Sequence, residues 1–233
     1  MTWSSWTLVS RVAMFCVLSA SAACCAQGAA TWQPTWDHDG LVTTGARTIQ
    51  APVQLVTCGV LLGDDLFLGG DQRKADGEQV PYLVRLGERG DAVEKWRVAS
   101  SVQALFVHKG VVHALLNDGQ IVRFLNGQWA ESALKAEPEA RLISSSPPLV
   151  VCSPRPLLMA DRRRGACYSL EQCWRQEVNW FEVQPIVCEG TLLAIEQRFS
   201  KHYRTSINVH DGAMTRTQLR RPPKKLRCPE AKH

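Results

Sequence analysis

The chain lacks an uninterrupted apolar run of the about 20 residues that a helix needs to cross a bilayer. It lacks a helical stripe longer than about two turns, and it lacks the short motifs that dictate common reactions. There is no Gly-x-Ser-x-Gly elbow, no His-Glu-x-x-His and no phosphate-cradling Gly-x-x-x-x-Gly-Lys. These absences exclude an α/β-hydrolase serine, a zincin and a P-loop nucleotide site, and no motif calls for a cofactor. No C-x2-C pair follows residue 26, which removes the preorganised thiolate pair that a structural zinc site wants.

At the front, Arg11 precedes the apolar run Val12–Leu18 and then small residues to Ala30. A basic residue, a short apolar core and small side chains describe a secretory signal, expected over residues 1–26. Residues Ser21-Ala-Ala-Cys24 resemble the box that precedes the lipidated cysteine of bacterial lipoproteins, with Ser21 where that family carries Leu. The resemblance implies lipid attachment at Cys24 and, through it, a membrane tether.

Nine cysteines are many for 233 residues, and six lie beyond the signal: Cys58, Cys152, Cys167, Cys173, Cys188 and Cys228. An even number in an exported chain reads as disulfides. Six cysteines allow 15 connectivities. The arrangement with a mechanism pairs Cys167 with Cys173 inside one hairpin and Cys152 with Cys188 across neighbouring units. It leaves Cys58 with Cys228 to tie the two ends together.

The net charge of +5 is unevenly spread. Residues 216–233 hold seven Lys/Arg against one Glu, whereas 27–215 is nearly neutral. A solvated basic tail is expected over 222–233. Nucleic-acid binding is disfavoured there, because the tail holds no aromatic ring on which a base could stack.

The body reads as β. Val53–Val56, Leu66–Leu68, Tyr82–Leu86, Gly110–Leu116 and Gln120–Leu125 are short apolar or alternating runs bounded by Gly, Asp, Asn or Pro. Asn117-Asp-Gly119, Asn126-Gly127 and Asp211-Gly212 are hairpin turn signals, because these residues accept positive φ. Ala130–Glu137 is the best helical candidate, stopped by Pro138.

Four stretches share one pattern: an apolar run, then Cys or His, then a turn and a second apolar run. Their anchors are Cys58, His108, Cys152 and Cys188, and a later Trp96, Trp129, Trp174 or Met214 follows in each unit. Units of this length resemble β-propeller blades, over residues 51–221, although the Gly-Gly doublets of kelch repeats in register and the Trp-Asp of WD repeats are missing. The resemblance implies an all-β fold of about four antiparallel sheet units, with 27–50 as an N-terminal extension. A β-sandwich is the alternative.

Arg162-Arg163-Arg164 crowds three guanidiniums into one loop tip, either solvated or an interaction patch for an acidic surface. Asp37-His38-Asp39 reads as a solvated turn, since adjacent side chains of an extended chain point apart. Two functions follow. The first is a non-catalytic exported interaction module of the bacterial envelope, in general style like the immunity lipoproteins that neutralise toxins, with a protein as partner. The second is an exported hydrolase acting on glycans or esters. The Ser-x-Asp-x-Gly-x-Thr-Trp repeat of sialidase-like propellers is absent, Asp211–Thr215 being a partial echo.

Overall fold

The computed structural model describes residues 34–37, 40–44, 47–87, 93–145, 147–155, 164–179 and 183–228, all within one compact unit, Trp32–His233. The expected signal and Cys24 lie outside the described residues. Among the described residues every regular element is a strand.

The strands form five antiparallel meanders. The first sheet holds β1 (Thr35–Trp36), β2 (Leu41–Thr44) and β3 (Arg47–Gln50). The second holds β4 (Leu55–Leu62), β5 (Asp65–Arg73), β6 (Gln79–Leu86) and β7 (Val93–Arg97). The third holds β8 (Val102–His108), β9 (Val111–Leu116), β10 (Ile121–Leu125) and β11 (Gln128–Glu131). The fourth holds β12 (Arg141–Ser144), β13 (Val150–Arg155), β14 (Arg164–Ser169) and β15 (Arg175–Asn179). The fifth holds β16 (Ile186–Cys188), β17 (Thr191–Arg198), β18 (Lys201–Asn208) and β19 (Met214–Leu219).

Sequential four-stranded sheets stack face on face, each first strand packing near the next (β4 on β8, β8 by β12, β12 by β16). This is a propeller-like architecture. The cores follow the stacking. Val42 of the first sheet meets Leu66, Leu68 and Val84 of the second. Phe67 and Leu83 on the other face of that second sheet meet Leu105, Ala114 and Leu116 of the third. Phe106, Leu115 and Ile121 then meet Val151, Ala166 and Tyr168 of the fourth. Finally Val150, Cys152 and Val178 meet Leu192, Ala194 and Ile207 of the fifth. Because successive residues of a strand face opposite ways, a sheet covered on both sides needs apolar residues without alternation. Leu66-Phe67-Leu68 and Leu192-Leu193-Ala194-Ile195 are buried throughout for that reason.

Several expectations are corrected. The four four-stranded sheets are the units expected over 51–221, but among the described residues a further three-stranded sheet, β1 to β3, packs against the first of them where only an extension was expected. Val42 alternates inward in β2, and the turn closed by Asp37 and Gly40 folds β1 back on it. Ala130–Glu137 is not a helix: Gln128–Glu131 pairs with β10 through the register Phe124↔Trp129, and the rest is an irregular connection. The repeat holds at two anchors only. His108 and Cys188 end first strands, before the tight turns Lys109-Gly110 and Glu189-Gly190, all four with positive φ. Cys58 instead lies inside the uninterrupted strand β4, and Cys152 lies in a second strand, so neither ends a first strand before a turn. The aromatic marker fares better. Trp96 and Trp129 lie in fourth strands, Met214 opens one, and Trp174 immediately precedes one.

The disulfides also differ from the expected pairing. Cys152 bonds Cys167, which faces it directly across β13 and β14 with Cα atoms 4.1 Å apart. Cys188 bonds Cys228, 5.5 Å away between Cα atoms. Cys173 sits in the turn before β15 and is exposed, while Cys58 is half-buried between β4, β5 and β8 beside Gly69 and Val102; both are free thiols. Burial pushes the Cys58 thiol up to about 12, which lowers its thiolate fraction and its reactivity. The tail is not wholly solvated either. Leu226 is buried with Leu193 and Ile195 on the far face of the fifth sheet, held there by the Cys188–Cys228 bond.

Alkylation of the native protein under non-reducing conditions will therefore label Cys173 much faster than Cys58, and unfolding will speed the labelling of Cys58 alone among these six. Opening the Cys188–Cys228 loop with Cys228→Ala is expected to cost about 2–4 kcal/mol in urea unfolding.

Candidate functional site

A cleft of about 400 Å3 opens beside the fourth sheet. The connection from β11 to β12 supplies Lys135 and Glu137, and the β14–β15 hairpin supplies Tyr168, Gln172, Trp174 and Arg175. The polar groups at its base are tied to one another. The Arg175 Nη2 donates to Glu137 Oε1 at 2.6 Å, and the guanidinium lies 5.2 Å from the Tyr168 ring centroid. The Glu137 amide donates to Tyr168 Oη at 2.8 Å, and the buried Ser153 hydroxyl donates to Glu137 Oε2. Burial holds the Tyr168 phenol above its ordinary pKa of 10.0.

Chemically, this is a clamp between two connections. Arg175 and Ser153 already occupy both oxygens of Glu137, so the carboxylate is held as an acceptor rather than poised as a base. Trp174 anchors the clamp on the fifth sheet: its Nε1 donates to Val209 O at 2.6 Å, against Gly212, whose missing Cβ leaves room for the indole.

A second cluster lies between the third and fourth sheets. His108 and His113, both buried, meet edge to face with ring centroids 5.8 Å apart. Phe106 stacks on His113 at 5.4 Å, and Glu171 Oε1 lies 3.6 Å from His108 Nε2. His113 Nδ1 sits 3.1 Å from Val111 O, which fixes the tautomer with a proton on Nδ1. Burial, joined by His108 and Arg123, holds the His113 pKa below 6.5.

A third polar site is Glu196, fully buried on β17. Arg216 Nε and Thr205 Oγ1 each donate to its Oε2 at 2.6 Å, and Arg198 Nε lies 3.6 Å away. Sequence reading missed both this group and the Glu137 clamp. Their partners are 20 and 38 residues distant, and no local spacing marks them.

Of the anticipated site residues, Arg162 and Arg163 lie outside the described residues. Arg164 begins β14 and pairs in register with Arg155 and Asn179. Asp37 accepts the Leu41 amide at 2.9 Å as a turn residue, and His38 and Asp39 lie outside the described residues. Among the described residues, no group of three His, Cys, Asp or Glu is placed to hold a metal.

The class that emerges is an all-β protein of stacked antiparallel sheets with two disulfides. No family model and no curated protein matches this chain. Among solved structures it is similar to BamB from Moraxella catarrhalis, at 15% identity over 82% of this chain and 62% of that one, with a TM-score of 0.48. It is also similar to the computationally designed Ika8 protein, at 14% identity over 80% of this chain and 55% of that one, with a TM-score of 0.42. The chain thus spans less than two thirds of the length of either, and its fold is assigned from its own sheets.

Two predictions follow from these clusters. His113 has a lowered folded pKa, so its contribution to stability is fully present above about pH 6.5 and is lost as pH falls toward the folded value. The urea midpoint should therefore drop from pH 7.5 to pH 5, and His113→Gln should flatten that part of the profile. Glu196→Ala removes the acceptor of Arg216 and Thr205 and should destabilise the fold by about 1–3 kcal/mol, read by thermal or urea unfolding.

Proposed function

We propose that this chain is a non-catalytic, exported protein-interaction module of the bacterial envelope, of the toxin-neutralising kind in its finer form. The observation that carries this reading is the pair of disulfides, Cys152–Cys167 and Cys188–Cys228. Such bonds persist in oxidising compartments outside the cytoplasm. They also stiffen the fourth and fifth sheets, so that connecting loops are presented on a preorganised frame and little ordering entropy is lost on binding. The cleft agrees, because its Glu137 and Arg175 are spent on holding two connections together.

The test is affinity capture of the exported chain from envelope extract, followed by reconstitution of the recovered complex from purified components. A one-to-one complex with a single protein is the expected result. Absence of any stoichiometric partner, together with turnover of a glycan or ester panel that Glu137→Gln abolishes, overturns the reading in favour of a hydrolase.

A further inference from the structure

The fifth sheet ends in an unusually cationic corner. Between Gln197 and Cys228 the chain carries Arg198, Lys201, Arg204, Arg216, Arg220, Arg221, Lys224, Lys225 and Arg227 against a single acid, Asp211. The register gathers four of these at one end. Arg198↔Lys201 closes the β17–β18 hairpin, and His202↔Leu219 is the last pair of β18 and β19. Arg220 and Arg221 therefore leave β19 alongside Lys201. Asp211 belongs to the β18–β19 turn at the opposite end, where it caps the Ala213 amide at 2.8 Å.

Within the corner, Glu196 is buried and already paired to Arg216, with Arg198 leaning on it at 3.6 Å. The local balance stays positive.

At the tip of this hairpin stands Phe199, 81% exposed and at φ 55°. A bulky side chain in the left-handed region is unfavourable, and Gly or Asn would take that position at little cost. The tail is also ordered: with Leu226 buried on the far face and Cys228 bonded to Cys188, Lys224, Lys225 and Arg227 are held exposed rather than trailing.

We infer that this corner docks on an anionic lipid bilayer, with Phe199 entering the headgroup region and Lys201, Arg220 and Arg221 meeting lipid phosphates. A projecting aromatic ringed by cations suits a fluid interface, which needs no complementary pocket. The inference rests on this surface alone and stands apart from the proposed protein partner.

The test is flotation of the exported chain with phosphatidylcholine vesicles, with and without phosphatidylglycerol. Variants share one N-terminus, so binding to phosphatidylcholine alone reads whatever the N-terminus contributes, and the increment with phosphatidylglycerol reads the corner. The increment is expected to vanish at high salt and to fall about tenfold or more in Arg220→Ser/Arg221→Ser. Phe199→Asn relieves the backbone rather than straining it, so its expected several-fold loss of binding will not come from misfolding. No increment with phosphatidylglycerol overturns the inference. So does equal binding to soluble polyglutamate and vesicles that Phe199→Asn leaves unchanged, which points to an acidic protein instead.

Discussion

Every sheet in this protein depends on having a neighbour on its apolar faces. A single twisted four-stranded meander with Leu, Ile, Val and Phe on both sides is unstable alone, and stacking removes both faces from water. The second, third and fourth sheets are covered on each side by other sheets. The ends are treated differently. The first sheet turns Thr35, Thr43 and Gln50 outward as an exposed, mostly polar face, whereas the fifth hides Leu193 and Ile195 under the tail residue Leu226. Capping of terminal repeats is a general requirement of stacked architectures. Here it is met once by side-chain polarity and once by a covalently pinned segment.

The disulfides reinforce the same logic. Cys152–Cys167 staples the second and third strands of the fourth sheet, on the face that meets the fifth. Cys188–Cys228 fastens the cap to the first strand of the last sheet. The half-buried ion pair of Glu196 with Arg216 joins the second and fourth strands of the same sheet, beside the bridging hydroxyl of Thr205 on the third. Both disulfides thus lie in the last two sheets of the stack, whereas ion pairs are spread along it, Arg85 tying Asp65 to Glu94 in the second sheet. The Glu137 clamp works between sheets instead, fixing the β11–β12 connection against the fourth sheet through Arg175, Tyr168 and Ser153.

This distribution bears on function. Glu137 and Glu196 are each engaged in holding strands or connections together. The exposed features are at its edges: the tip at Phe199, the cationic end of the fifth sheet and the outer strand β19 with its run Met214-Thr-Arg-Thr-Gln-Leu219. The two histidines packed under Phe106 belong to the core and make it sensitive to acid, because burial opposes the charge that low pH would place on His113.

What was legible in the sequence was local. Short apolar runs, Asp-Gly and Asn-Gly turns and the spacing of Trp96, Trp129 and Trp174 announced strands, hairpins and their repetition, because strand pairing across a two-residue turn is decided by neighbouring residues. The register of the repeat and the sulfur pairing were not legible. Cys58 and Cys152 look equivalent in sequence, yet one sits in a first strand and the other in a second, and only the sheet register sets Cys167 opposite Cys152. The same holds for Glu137 with Arg175, for Glu196 with Arg216 and for the meeting of Lys201 with the start of the tail. Residue spacing determines which way a side chain points along its own strand; which distant side chain it meets depends on how the sheets stack, and that is decided by burial across the whole molecule.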